Sequence, residues 1–275
     1  DRMDNFENHC LIIGCGKMGL LHGALINRVP GLKVSGLVDP SFQSRSVAKG
    51  IGISAPVYST IDKAMKGKKP GLAIICTPPN THFSIVSKFL EGGWGVFVEK
   101  PLAMNSDKSK ELVEIASKRE LYNQVGFQLR FNPAVRFLYR YINDNFDDKG
   151  EAIESIDIEI LSPQFSGVRD SSLGKVRGGV KWDLLPHVID LGVYLMGIKN
   201  NIGISISKSE RNTWKSVFAE IDLNGTSFKA TADWSSKDVR KVETRGKINI
   251  KDGTIISFDM DKVWFENGEV LFHRR

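Results

Sequence analysis

Gly14-Cys15-Gly16-Lys17-Met18-Gly19 follows the apolar run 11–13 and opens a helical pattern, and this strand, glycine turn and helix constrain the chain more than any other feature. Each glycine has its own reason. Gly14 permits a tight turn, Gly16 lets the backbone approach a pyrophosphate with no Cβ in the way, and Gly19 lets the helix pack close to the strand. The N–H groups left free at the helix start then face the phosphates, with Cys15, Lys17 and Met18 beside them. Twenty residues after Gly19, Asp39 ends the second apolar run, where a carboxylate accepts hydrogen bonds from ribose hydroxyls. That charge repels a 2′-phosphate, so NAD is the expected cofactor, and the nearby Arg45 keeps NADP as the alternative. A glycine turn beside a solvated aspartate, with no ligand, leaves the spacing unexplained.

The surroundings of the turn predict a parallel sheet. Apolar runs at 11–13, 34–38, 72–76, 96–98 and 123–126, with a weaker one at 56–59, alternate with amphipathic stretches, and most lack the polar alternation of half-exposed strands. Asn80 or Thr81 is expected to cap the helix after Cys76, and Gly92-Gly93 to end it. Beyond Phe127 the rhythm changes to a helix at 133–145, a run at 153–161, a Gly/Ser-rich stretch at 162–179 and an apolar helix at 182–196. Runs at 202–206, 216–223, 227–234, 241–250 and 254–260, separated by turns such as Asn224-Gly225 and Asp252-Gly253, predict an antiparallel meander. The expected fold is α/β. A doubly wound Rossmann parallel sheet takes residues 1–128, and an α+β domain with an open, mainly antiparallel sheet takes 129–275 for substrate binding and oligomerisation.

With 275 residues, 41% of them hydrophobic, the chain has length and apolar content for two domains. No apolar run reaches membrane-spanning length and none resembling a signal peptide precedes Cys10, so the expected setting is cytoplasmic, with no membrane partner. Cys10, Cys15 and Cys76 lack CxxC spacing, which argues against a disulfide framework and a metal site. The net charge of +6 owes much to the run Lys63, Lys66, Lys68 and Lys69. Without interleaved aromatic residues that run reads as a solvated helix end, and no nucleic-acid partner is expected.

In the helix from Trp182, Asp183, His187, Asp190 and Tyr194 fall on one face among leucine, valine and isoleucine, with Pro186 setting Asp183 at or near the N-cap. Buried carboxylates and imidazole need partners, which a ligand cleft or a structural network supplies. For Asp190 and Tyr194 the structural network is the expectation. Taken alone, His187 reads as a core histidine.

Three further segments resemble the family of glucose-fructose oxidoreductase and inositol dehydrogenase (Gfo/Idh/MocA). Cys76-Thr77-Pro78-Pro79-Asn80-Thr81-His82 is similar to the family's T-P-x-x-x-H segment beside the nicotinamide ribose, which implies cofactor contacts from Thr77, Pro78, Asn80 and His82. Glu99-Lys100-Pro101 is similar to its E-K-P segment. That likeness implies a cis Pro101, cofactor contacts from Glu99 and Lys100, and a Lys100 ammonium that reaches the substrate oxygen. Gly178-Gly179 with Asp183, His187 and Asp190 resembles the family's G-G-x(n)-D-x-x-x-H-x-x-D helix, which implies His187 as general acid/base and Asp183 as the group orienting the substrate. Arg130-Phe131-Asn132-Pro133 resembles the R-F-x-P segment at the domain junction, and makes Arg130 either a substrate contact or a domain-linking ion pair. The family also implies a helix after the sheet, a pattern not found before Arg275.

The resemblance implies an enzyme that moves a hydride between NAD(P) and a CH–OH or C=O group of a sugar, polyol or nucleotide sugar. Two other readings fit the same fold: a redox-neutral glycosidase using tightly held NAD, and a non-enzymatic dinucleotide-binding regulator. The presence of Lys100, Asp183 and His187 favours catalysis. Residues 162–179, with Arg169, Lys175 and Arg177, are either a lid over the substrate or a surface loop. The second face of the open sheet is the expected interface of a homodimer or homotetramer.

Overall fold

The computed structural model describes residues 8–50, 52–146, 152–163, 179–197, 204–210, 216–223, 225–237 and 239–274. The chain divides into two compact units, Asp1–Gly126 and Phe127–Arg275.

The first unit holds β1 (His9–Ile13), β2 (Lys33–Val38), β3 (Val57–Tyr58), β4 (Leu72–Ile75), β5 (Gly95–Val98) and β6 (Asn123–Val125) in the order β3-β2-β1-β4-β5-β6. Every pairing is parallel. The helices are α1 (Lys17–Ile26), α2 (Phe42–Gly50), α3 (Ile61–Met65), α4 (His82–Glu91) and α5 (Ser106–Lys118). β1 is buried at all five positions because helices cover both faces of the sheet. Leu11 and Ile13 join Phe89, Trp94 and Leu112 in one core, while Cys10 and Ile12 join Ile26, Leu37 and Ala48 in another, as the two-residue period of a strand requires. The strand order reverses between β1 and β4, which opens a crevice at their carboxyl ends.

Thr81 stands at the N-cap of α4 without capping through its side chain. Its hydroxyl donates instead to the Pro78 carbonyl (2.7 Å) and lies at hydrogen-bond distance from Thr77 Oγ1 (2.8 Å), because a 3-10 turn over Pro79–Thr81 leads into the helix. Gly92 caps the other end and Gly93, at φ +78°, turns the chain out of it.

The second unit begins with α6 (Pro133–Asn145). Its N-cap Asn132 accepts the N–H groups of Ala134 (2.9 Å) and Val135 (3.3 Å), and Pro133 takes the first helical position, where no N–H is needed. Then come β7 (Ile153–Pro163), α7 (Val180–Asp183), α8 (Leu185–Leu195), β8 (Ile204–Glu210), β9 (Ser216–Leu223), β10 (Thr226–Ser236), β11 (Glu243–Ile250), β12 (Ile255–Asp259), β13 (Lys262–Phe265) and β14 (Val270–His273). The sheet order is β14-β13-β12-β11-β7-β10-β9-β8.

Three features differ from expectation. The sheet is two meanders separated by β7, which is parallel to β10 and antiparallel to β11. Alternation within a strand tells which face is buried and says nothing of which strand lies beside it. A hairpin of β13 and β14, turning at Gly268 (φ +91°), extends the sheet past the last expected strand. The expected helix over 182–196 is two helices that break at Leu184, because Pro186 in the first turn of α8 has no N–H with which to continue the ladder of α7. The N-cap of α8 therefore falls on Leu184, and Asp183 closes α7.

The core of this unit packs Val135, Leu138, Val188 and Leu191 on Ile156, Ile158, Phe228 and Ile248. Gly192 lets α8 approach the sheet, since a Cβ there would lie 2.7 Å from the Phe228 ring. Of the expected lid at 162–179, Ser162 and Pro163 end β7, and positions 164–178, with Arg169, Lys175, Arg177 and Gly178 of the Gly-Gly pair, lie outside the described residues; so do positions 202 and 203 and the turn residue Asn224. Among the described residues no helix is long and apolar enough to cross a membrane.

Candidate active site

The glycine turn sits at the carboxyl end of β1, and its three glycines differ in what surrounds them. At Gly14 (φ +97°) a Cβ would lie 2.8 Å from the Cys76 carbonyl oxygen, so the turn has no room for a side chain against β4. At Gly19 a Cβ would fall 1.8 Å from the Gly14 carbonyl oxygen. Gly16, the N-cap of α1, is extended at φ −76° and ψ −176°, and a Cβ there would meet nothing within 4 Å. The protein's own packing requires glycine at 14 and 19; at 16 it leaves open space over a helix N-terminus whose partial positive charge suits an anion. Lys17 and Met18 are exposed in the first turn.

Asp39, following β2, is tied to this turn. Its Oδ2 accepts the Cys15 N–H at 2.8 Å and its Oδ1 accepts the Ser41 N–H at 2.8 Å, which leaves each carboxylate oxygen further acceptor capacity. Arg45 donates to the carbonyl oxygens of Asp39 (2.8 Å) and Pro40 (2.7 Å), and its guanidinium lies over the Phe42 ring. Burial pushes the thiol of Cys15 up to about 11, with the Asp39 charge adding to the effect, and burial pushes Cys76 up to about 12. At neutral pH these thiols are protonated and poor nucleophiles.

At the ends of β4 and β5, His82 is fully buried and joins two segments. Its Nδ1 lies 2.7 Å from the Pro101 carbonyl oxygen and its Nε2 lies 2.8 Å from that of Thr77. Thr77 is half-buried, Pro78 and Asn80 are exposed, and the Lys100–Pro101 peptide is cis with Lys100 half-buried. Glu99 Oε1 accepts the Nε2–H of His22 from α1 at 2.9 Å. His22 carries no role in the sequence reading, because nothing in the spacing of α1 shows that its third residue past Gly19 meets the Glu-Lys-Pro segment.

In the second unit, Asp183 is half-buried and His187 is 7% exposed, with its ring 6.3 Å edge-on from Phe127. Asp190 is buried and takes a forked pair of hydrogen bonds from Arg130, one from Nε to Oδ2 at 2.8 Å and one from Nη2 to Oδ1. The hydrogen bond to Asp190 holds the guanidinium pKa above its ordinary value. The Arg130 guanidinium also lies near the rings of Phe127 (5.8 Å) and Tyr194 (5.4 Å). Asp190 and Tyr194 thus belong to the structural network expected of them. Arg130 forms its ion pair within the second unit, and Nε and Nη2 are already engaged by Asp190.

The first unit therefore gathers Gly14, Cys15, Gly16, Lys17, Met18, Gly19, Asp39, Thr77, Pro78, Asn80, His82, Glu99 and Lys100 around the carboxyl ends of β1, β2, β4 and β5. The second carries Asp183 and His187 on α7 and α8, with Arg130 paired to α8.

A family profile described as "Oxidoreductase family, NAD-binding Rossmann fold" matches residues 8–127. The chain is 32% identical over 195 residues to scyllo-inositol 2-dehydrogenase (NAD(+)) of Bacillus subtilis strain 168, covering 68% of this chain and 54% of that protein. An inositol 2-dehydrogenase of Corynebacterium glutamicum strain R is 28% identical over 190 residues, covering 68% and 53%. The chain spans about half the length of these curated relatives. Among solved structures, UDP-N-acetylglucosamine 3-dehydrogenase GnnA from Acidithiobacillus ferrooxidans superposes with a TM-score of 0.76 at 20% identity, over 97% of this chain and 83% of that one. That likeness shows the shared fold.

Proposed function

We propose that the chain, which matches that family profile over residues 8–127 and is 32% identical to the scyllo-inositol dehydrogenase, is an oxidoreductase of the Gfo/Idh/MocA family that moves a hydride between NAD and a CH–OH or C=O carbon of a sugar, polyol or nucleotide sugar. The observation that carries the reading is the glycine turn: glycine is forced by backbone contact at 14 and 19, while at 16 a Cβ would stand in open space above the start of α1. That cradle fits a pyrophosphate, and the Asp39 carboxylate beside it fits an unphosphorylated ribose. NAD is favoured over NADP because a 2′-phosphate would face the Asp39 charge, while Arg45 is engaged by the carbonyls of Asp39 and Pro40.

Thr77, Pro78, Asn80, His82 and Glu99 border the nicotinamide half. When bound, the nicotinamide supplies the hydride acceptor or donor. Lys100 holds an ammonium near the reacting oxygen and stabilises its alkoxide character. His187 takes the hydroxyl proton in oxidation and returns it in reduction, and Asp183 orients the hydroxyl. The relatives' names, inositol and UDP-N-acetylglucosamine dehydrogenases, support polyhydroxylated substrates.

The decisive assay incubates the protein with NAD or NADP and a panel of polyols, sugars and nucleotide sugars, following nicotinamide absorbance in both directions. Turnover with NAD by one substrate group is expected. Bound dinucleotide with no turnover across the panel would overturn the dehydrogenase reading in favour of a redox-neutral enzyme or a regulator.

The same proposal includes a homodimer or homotetramer built on the open face of the second sheet. Glu220, Lys229, Asp157 and Lys247 stand side by side across β9, β10, β7 and β11, so charge alternates along the row. Such a row is self-complementary about a two-fold axis. Lys247→Glu is expected to shift the sedimentation coefficient to that of a monomer, and an unchanged coefficient would count against this interface. The free thiols of Cys10, Cys15 and Cys76 support a reducing, cytoplasmic setting.

A further inference from the structure

Lys100 lies between two histidine tethers. On its C-terminal side, His82 Nδ1 meets the Pro101 carbonyl oxygen at 2.7 Å. On its N-terminal side, His22 Nε2 meets Glu99 Oε1 at 2.9 Å. A carboxylate only accepts, so the imidazole Nε2 carries the proton in that bond. The Glu99 carboxylate is enclosed. Its side chain is 14% exposed, the His22 ring packs edge-on to Phe97 at 5.0 Å, and a Cβ on Gly126 would come within 3.2 Å of both Glu99 Oε2 and the Phe97 ring. Its negative charge reaches Cys76 at the end of β4, where it adds to the effect of burial in raising the thiol.

The origin of the His22 tether matters. His22 lies on α1, the helix that the glycine turn opens, three residues past the Gly19 whose Cβ position is blocked by the Gly14 carbonyl. The turn, α1 and His22 therefore form one continuous body of chain. The Glu-Lys-Pro segment is fastened to that body through Glu99, and to the Thr77 segment through His82.

We infer that His22 and Glu99 are positioning residues: they form a strut between the glycine-turn helix and the Lys100 segment, so that a dinucleotide seated on the turn sets the place of the Lys100 ammonium. The coupling to a ligand rests on the dinucleotide reading given above; the strut itself does not. His22 touches no reacting atom in this scheme and acts through Glu99 on the residue next to it.

The experiment is deuterium uptake of the 99–104 amides, read by mass spectrometry with and without NADH, in wild type, His22→Leu, His22→Gln and Glu99→Ala. Cutting the strut is expected to raise uptake in this segment about threefold or more, through local opening, and to remove the protection that NADH confers on it in the wild type. His22→Gln keeps an amide donor near the Nε2 position and is expected to restore both. Unchanged uptake in His22→Leu and Glu99→Ala would overturn the strut, as would a His22→Gln protein as altered as His22→Leu. Glu99→Ala leaves α1 intact and supplies the answer should His22→Leu unfold, which would show as raised uptake in every peptide. A wild type that takes up no NADH would overturn the dinucleotide reading, while uptake without NADH still decides the strut.

Discussion

Gly16→Ala separates a glycine kept for a ligand from glycines kept for the fold. Gly16 has φ −76° and ψ −176°, which alanine adopts without strain, and its Cβ would meet nothing within 4 Å. Alanine is a poorer N-cap than glycine by about 0.5 kcal/mol. The reduced freedom of the unfolded chain offsets about the same amount. Thermal stability should therefore change by less than about 3 °C. The new methyl stands where the backbone would meet a pyrophosphate, and losing one charge-assisted hydrogen bond there costs about 1.5–3 kcal/mol. NADH affinity should fall about 10- to 150-fold. Gly19→Ala is the contrast, because its Cβ would fall 1.8 Å from the Gly14 carbonyl oxygen and backbone must move. A cost of about 3 kcal/mol is expected there, with a melting temperature more than about 6 °C lower. Melting curves and NADH titration by fluorescence read both quantities. A Gly16→Ala protein that binds NADH as the wild type does, or that melts as low as Gly19→Ala, would refute the reasoning.

His187→Ala should lower kcat by about 10²- to 10⁴-fold while NADH affinity stays within about twofold, since the residue is assigned to the substrate proton alone; equal losses of both would count against that assignment. The Cys10 thiol, raised from 9.0 to about 12 by burial, gives a pH signature. Its neutral form is favoured in the fold, so its contribution is fully present below pH 9 and is lost between pH 9 and 12, at about 1.4 kcal/mol per pH unit. Urea unfolding between pH 9 and 10.5 should show stability falling more steeply in wild type than in Cys10→Ala by that slope, and parallel curves would contradict the burial argument.

The first unit was largely legible in the sequence because its central strands β1, β4 and β5 are mostly buried on both faces and read as continuous apolar runs. The glycine turn was legible for the same local reason. The second unit was less so. Its strands were visible as alternation, yet the insertion of β7 between β10 and β11 is a long-range choice that no local pattern encodes. The break at Leu184 was written in Pro186, whose missing N–H ends one helix before the next begins. Arg130 shows another limit: the motif suggested a substrate contact or an inter-domain pair, and the ion pair it forms within its own unit depends on the approach of Asp190, sixty residues away in sequence. His22 was silent because its meaning depends on Glu99, 77 residues distant in sequence.

The central claim is that the open space above Gly16, with the Asp39 carboxylate beside it, is a seat for NAD. Calorimetric titration of the chain with NADH and with NADPH tests it most directly. Stoichiometric binding of NADH, with NADPH weaker by about tenfold or more because its 2′-phosphate meets a carboxylate, is the predicted result. Heat from neither nucleotide, or tighter binding of NADPH, would contradict it.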